Sequence, residues 1–224
     1  MKSDARETLP AAPATLRDRL IAALVREGDL RTERVIEAMR AVPRHEFVPI
    51  EAAPEAYVNT SLPIGYGQTI SQPTVVAMMT EALALTGDER VLEVGTGSGY
   101  QAAVLSHLAR EVYSIERVPA LAHLAASRMR LLGRANVQVR VGDGYQGWPE
   151  HCPYDRVIVT AAPPEVPAEL VRQLAEGGYL VMPVGDATGD AWQTLWRFQK
   201  VGGELAGEDL GPVRFVPMLP GTRE

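Results

Sequence analysis

The chain has 224 residues, 46% hydrophobic and 22% charged, with a formal net charge of −6. That composition supplies one soluble domain with a full core, and its acidic balance argues against a dedicated nucleic-acid binder, which would show a basic face. The lone cysteine, Cys152, excludes an internal disulfide and fits a reducing, cytoplasmic setting. No stretch approaches the roughly 18 apolar residues of a membrane span, and four scattered histidines lack metal-ligand spacing, so no metal is expected.

Residues 1–14 are rich in Ala, Pro and charge and read as a flexible extension. From residue 15 to about 27, Leu16, Leu20, Ala23 and Leu24 fall on one helical face, which Gly28 stops. A second helix starts near Thr32 and ends before Pro43. Residues 43–72 read as loop and short pieces because Pro49, Pro54 and Pro63 interrupt them. Pro73 suits the first turn of a helix through about residue 85.

After Gly87 strands alternate with helices. Residues 90–95 read as a buried strand opening into a helix through residue 109. Strands follow at 111–116, 136–142 and 154–160, with helices at 118–132 and 167–176 and a strand at 178–185. This rhythm implies a largely parallel sheet covered on both faces. Residues 191–203 and 209–219 then read as strand after strand, hence antiparallel pairing at the sheet end. Trp192, Trp196 and Phe198 share a strand face and are assigned to the core. The chain divides into an extension (1–14) and one domain (15–224), with an N-terminal helical region (15–87), a ligand-binding core (88–185) and C-terminal strands (186–224).

LEVGTGSGY (92–100) places Gly95, Gly97 and Gly99 between strand and helix. Such glycines let the backbone turn sharply and a ligand approach closely. The spacing is G-x-G-x-G, not the dinucleotide G-x-G-x-x-G, and no P-loop lysine follows. Glu93 just before the turn repels phosphate and suits a cation. Glu116 ends the second strand, where an acid commonly takes ribose hydroxyls. Asp143, in GDGYQGW (142–148), is placed to meet an adenine edge. Three acids at successive strand ends point to a ligand with a ribose and a cationic part, and S-adenosylmethionine has both.

On these residues the chain resembles a class I S-adenosylmethionine-dependent methyltransferase. More closely, it is similar to the protein-L-isoaspartate O-methyltransferase family through VPRHEFVP (42–49), LPIGYGQTISQP (62–73), VLEVGTGSGYQAAVL (91–105), GDGYQGWP (142–149), YDRVIVTAAPPEVP (154–167), LAEGGYLVMPVG (174–185) and VRFVPM (213–218). The resemblance implies a doubly wound, mostly parallel seven-stranded α/β sheet with N-terminal helices and an antiparallel C-terminal strand. It implies methyl transfer from S-adenosylmethionine to the free α-carboxylate of L-isoaspartyl residues in damaged proteins, leaving S-adenosylhomocysteine. The ester re-closes to a succinimide, which initiates repair. It also implies a monomer with no nucleic-acid or membrane partner. The cofactor is expected on Glu93, Gly95, Thr96, Gly97, Ser98, Gly99, Glu116, Asp143 and Gly144. The acceptor carboxylate is expected near Ser71, with Gln68, Thr69, Ile70, Thr160, Ala161, Val213, Phe215 and Val216 around it.

GYGQTISQP (65–73) holds hydroxyls and amides but no acid, base or thiol. A carboxylic acid with a pKa of roughly 4 is already an anion at neutral pH, so methylating it needs no proton abstraction, unlike an amine or alcohol. Neutral donors suffice to orient it, and Ser71 is cast as such a donor, not as a covalent nucleophile. By position alone Thr69 and Ser71 serve equally well as caps of the helix at Pro73; the resemblance favours the cradle. TAAPPEVP (160–167) has alanines where base methylating enzymes carry Asn or Asp, and Glu165 in place of an aromatic. The alternating VRFVP segment is expected to pair with an extended peptide. The remaining rivals are the same fold acting on another carboxylate or small amine, a non-catalytic cofactor binder, and a nicotinamide enzyme.

Overall fold

The computed structural model describes residues 11–187 and 191–223. The flexible extension expected over residues 1–14 therefore lies mostly outside the described residues; residues 13 and 14 already belong to the first helix. That helix, α1 (Pro13–Glu27), carries Pro13 in its first turn and ends where Gly28 turns left-handed, its N–H reaching Leu24 and Val25 carbonyls. α2 (Glu33–Ala41) buries Val35, Ile36, Ala38 and Met39. Its Thr32 makes no side-chain cap; its hydroxyl bonds Glu81 Oε2 at 2.5 Å instead. α3 (Pro73–Ala82) carries that Glu81 and stops three residues short of expectation, with Ala84 in a left-handed conformation.

Between these helices the expected loop contains a hairpin, β1 (Leu62–Gly65) and β2 (Gln68–Ile70). Its two-residue turn has positive φ at both Tyr66 (54°) and Gly67 (70°), the twist that suits a tight hairpin. The opening of GYGQTISQP is thus a turn and an edge strand.

The main sheet comprises β3 (Arg90–Val94), β4 (Glu111–Glu116), β5 (Val137–Val141), β6 (Tyr154–Val159), β7 (Leu174–Val184), β8 (Gln193–Val201) and β9 (Glu204–Val213), in spatial order β5-β4-β3-β6-β7-β8-β9. The pairs from β5 across to β7 are parallel, and β8 runs antiparallel to both β7 and β9. α4 (Tyr100–Leu105), α5 (Pro119–Leu131) and α6 (Ala168–Gln173) connect the parallel strands. α4 and α6 are shorter than expected. α6 gives way at Leu174, which pairs with Tyr154 and so begins β7 four residues early.

Period-two alternation sorts the sheet residues onto two faces. Leu92, Val94, Tyr113, Ile115, Val157, Val159, Leu180 and Met182 pack with Trp148 and Tyr154. Val91, Val112, Ile158 and Val181 pack on the other face with Met79 of α3, Leu83 just after it and Leu105 of α4. The chain moves outward from β3 through β4 to β5, then returns to place β6 on the other side of β3. That reversal opens a crevice at the carboxyl ends of β3 and β6, where open α/β sheets bind ligands.

Two readings of the C-terminal strands change. Trp192 precedes β8 and is 61% exposed; because β8 is antiparallel, its start emerges at the crevice edge rather than in the core. Trp196 and Phe198 are half-buried and stack with centroids 5.4 Å apart. The strand expected through residue 219 leaves the sheet after Val213, and Pro217 forms a parallel bridge with Ala162 after β6. This turns residues 214–218 across the crevice.

Candidate active site

The glycine turn is held by the next strand. Gly95 and Thr96 donate their N–H groups to the Ile115 carbonyl at 2.8 and 3.2 Å. Glu116 at the end of β4 accepts from Gly97 N–H at 2.8 Å and Val118 N–H at 2.9 Å. Each of its carboxylate oxygens keeps a further lone pair, and the residue lines the crevice. Gly95 has φ +99°, and a Cβ there would lie 2.3 Å from Thr160 Oγ1. At Gly144, after β5, a Cβ would sit 2.4 Å from Val94 Cγ1. The crevice floor is therefore bare backbone. Val94, Ile115, Met218 and Leu219 add apolar walls. Bare backbone, apolar walls and one carboxylate with unused lone pairs fit a nucleoside.

Glu93 takes a different place. Alternation directs it to the covered face beside Ser114, its partner in register. It is fully buried and does not line the crevice. Ser114 donates to Oε2, while Oε1 is buried with no hydrogen-bond partner among the described residues. Burial pushes its carboxyl up to about 8, the Ser114 hydrogen bond opposes the rise, and the charge of Glu116 adds to it. Ser114 also bonds Thr96 Oγ1 at 2.5 Å, so this buried acid braces the turn from beneath.

The remaining turn residues divide. Gly95, Thr96, Gly97 and Ser98 line the cavities around the turn, and Gly144 lines the crevice. Gly99 does not; it rests against Ala125 and Met129 of α5, where a Cβ would approach to 3.2 Å. Asp143 lies beside Gly144 but outside the lining, and its Oδ1 accepts from Tyr145 N–H at 2.9 Å.

A second lobe opens from the crevice. Thr69 and Thr160 line it and the nucleoside lobe alike, so they stand at the junction. Ile70, Ser71, Tyr100 and Gln101 line the inner part, and Gln72, Trp192, Val213, Arg214, Phe215 and Val216 the outer part. Gln68 and Ala161 border the crevice itself. Neither Thr69 nor Ser71 caps α3: the N-cap residue is Gln72, and the Thr74 N–H is taken by Asn59 Oδ1 at 3.1 Å. The Thr160 hydroxyl is committed, donating to the Gly95 carbonyl at 2.7 Å. With one O–H to give, Thr160 joins turn to lobe and cannot donate to an acceptor at the same time.

The fold thus brings together Gln68, Thr69, Ile70, Ser71, Gly95, Thr96, Gly97, Ser98, Glu116, Gly144, Thr160, Ala161, Val213, Phe215 and Val216, and leaves Glu93, Gly99 and Asp143 off the walls. Sequence reasoning missed Ile115, Arg117, Met218 and Leu219. Ile115 reads only as a strand residue. The other three depend on the C-terminal segment folding back: Ala162 N–H donates to Val216 O at 2.8 Å, Met218 N–H to Ala162 O at 2.9 Å, and Tyr145 Oη–H to Met218 O at 3.0 Å. Further along, Arg223 N–H donates to Arg117 O at 2.8 Å, and the Arg223 guanidinium donates to Tyr66 O at 2.6 Å. The tail is a strap from the sheet to the hairpin tip.

Comparison with known proteins identifies the family. A family model described as Protein-L-isoaspartate(D-aspartate) O-methyltransferase (PCMT) matches residues 15–223. The Protein-L-isoaspartate O-methyltransferase of Alkalilimnicola ehrlichii is 55% identical over 208 residues, covering 92% of this chain and 93% of its own. That of a Synechococcus species is 52% identical over 210 residues, covering 92% and 86%. A solved protein-L-isoaspartate O-methyltransferase superposes with a TM-score of 0.80 at 32% identity, covering 90% of this chain; the chain spans 65% of that protein's length. A protein-L-isoaspartate O-methyltransferase from Plasmodium falciparum, crystallised with S-adenosyl-L-homocysteine, gives 0.78 at 26% identity, covering 91% and 98%.

Proposed function

Because the chain belongs to the protein-L-isoaspartate(D-aspartate) O-methyltransferase family, we propose that the crevice at the glycine turn takes the cofactor and that the lobe beside Ser71 takes the acceptor carboxylate. The protein is an S-adenosylmethionine-dependent enzyme that methylates L-isoaspartyl residues of damaged proteins and peptides. The region from residue 15 onward reads as one methyltransferase domain. The cofactor supplies an electrophilic methyl on a positively charged sulfur and departs as S-adenosyl-L-homocysteine.

The observation that carries the site reading is what the acceptor lobe lacks. Among the described residues its walls hold Ser, Thr, Gln, Tyr and apolar residues with Arg214 at the rim, and no His, Asp, Glu, Lys or Cys. A lobe without a base suits an acceptor that arrives ionised. The carboxylate oxygen forms the new C–O bond as the methyl–sulfur bond breaks, and no proton moves. Anion and cation neutralise each other, so a lobe poor in water and in strong donors favours the transition state. The chain's task is aim, for which positioning alone contributes several kcal/mol.

Ser71 orients the carboxylate as a hydroxyl donor, and Thr69 stands beside it where the two lobes meet. Thr160 holds the turn against the fourth parallel strand. Glu116 takes ribose hydroxyls with its spare lone pairs, and Gly144 admits the adenine. Val213, Phe215 and Val216 lie along the outer lobe, where they would flank an extended peptide; the Phe215 N–H and the Val216 carbonyl are already taken, by Gln193 Oε1 and by the Ala162 N–H, each at 2.8 Å. A monomer and a cytoplasmic setting, which the single Cys152 suits, complete the reading. Among the described residues no helix is long and apolar enough to cross a membrane.

The test is methyl transfer to matched isoaspartyl and aspartyl peptides. Turnover is expected for the first alone, with methanol released as the ester re-closes. Ser71→Ala is expected to keep S-adenosylhomocysteine affinity and lose roughly ten- to a hundredfold in kcat, the scale of one transition-state hydrogen bond. Unchanged kcat would remove Ser71 from the chemistry, and equal turnover of both peptides would remove the substrate.

A further inference from the structure

The wall behind Ser71 contains a buried cation that the acceptor lobe has no obvious need of. Arg44, in the short 3₁₀ turn Arg44–Phe47 after α2, is 1% exposed. Its Nε donates to Ala56 O at 2.9 Å, and its Nη2 to Ser71 O at 2.8 Å and Thr60 O at 3.4 Å. The guanidinium lies 5.1 Å from the Tyr100 ring centroid. Nη1 is buried with no hydrogen-bond partner among the described residues. Among the described residues no carboxylate forms an ion pair with it; the titratable groups that act on its charge are Tyr100 and Tyr57. Burial lowers its pKa to about 10, which leaves it protonated at neutral pH.

Every described partner of this arginine is thus a neutral dipole or a ring face. A buried cation with no anion costs several kcal/mol, and a structural role would be served by a neutral donor. Two of its neighbours, Ser71 and Tyr100, line the acceptor lobe, whereas Arg44 itself does not. Its charge therefore stands one residue-thickness behind the wall. From there it attracts an anion through a low-dielectric medium without lending an N–H to the oxygen that must attack.

We propose that Arg44 is a charge-selecting positioning residue: held on the Ser71 carbonyl, it makes the lobe favour an ionised acceptor over an isosteric neutral one while leaving the nucleophilic oxygen free of a cationic hydrogen bond. This refines the expectation of a purely neutral cradle, and it rests on the acceptor reading given above. The nearby Arg214 is not an equivalent source, because it sits at the rim with its guanidinium over Trp192, 4.4 Å from the ring centroid.

The experiment uses the full chain saturated with S-adenosylhomocysteine, so that peptides bind without turnover. Calorimetry compares an isoaspartyl peptide with the same peptide carrying an α-carboxamide in place of the α-carboxylate. Wild type is expected to prefer the carboxylate by roughly tenfold in Kd, about 1.4 kcal/mol. Arg44→Met should reduce that preference to within about threefold, through loss of carboxylate affinity alone, and Arg44→Lys should restore most of it. A merely structural brace would weaken both peptides equally, and that result overturns the proposal. Equal affinity of wild type for the two peptides overturns it without any variant, should Arg44→Met fail to fold. Absence of isoaspartyl methylation by wild type would instead overturn the parent reading.

Discussion

Replacing Glu93 by Gln tests whether the acid beneath the glycine turn is held neutral. The side chain is fully buried, one oxygen is unpartnered, and burial raises its carboxyl from 4.5 to about 8. A group whose pKa is higher folded than unfolded adds stability that is complete below the unfolded value and lost as pH rises towards the folded one. The window is therefore about pH 4.5 to 8. With those two values, wild type should lose on the order of 3 kcal/mol relative to Glu93→Gln between pH 5 and pH 8. Gln is neutral throughout and isosteric, so contributions from every other titrating group cancel in the difference. Urea unfolding of both proteins at pH 5, 6.5 and 8 measures it, and the Tm difference should change by roughly 10 °C over the same range. Parallel stability profiles would show that Glu93 ionises freely in the fold. Removing the Ser114 donor, which holds the pKa down, should extend the slope to higher pH.

Two further outcomes follow from contacts around the crevice. Gly95→Ala places a Cβ 2.3 Å from Thr160 Oγ1 at φ +99°, so a loss of about 2–3 kcal/mol is expected from strain and a displaced hydrogen bond. Adding Thr160→Ala should relieve the steric part, making the double variant about 1 kcal/mol more stable than the sum of the two losses; strict additivity in urea unfolding would refute the contact. Arg223→Ala unties the strap from the Tyr66 carbonyl. S-adenosylhomocysteine should then dissociate about threefold faster in stopped flow with stability within roughly 0.5 kcal/mol of wild type, and an unchanged off-rate would dismiss the strap as a gate.

Local chemistry was written in the chain. The alternation of apolar strands and amphipathic helices dictated a parallel sheet. The spacing at Gly95, Gly97 and Gly99 pointed to a ligand turn after its first strand, and the neutrality of QTISQ, read with the family resemblance, suited the proposed acceptor, which needs no base. These are properties of neighbours, and sequence periodicity reports neighbours faithfully. What lay beyond reach depended on contacts across many residues. Glu93 reads as a ligand-facing acid until β3 and β4 come into register and set it against Ser114 on the covered face. Trp192 reads as core until the antiparallel course of β8 brings its start to the crevice edge. Arg44 carried no role of its own in the sequence, and only the fold closes Ser71, Tyr100 and Ala56 around it. Residue type and spacing set what each group can do chemically; only tertiary packing decides which face it meets, how little water reaches it, and therefore which charge it carries.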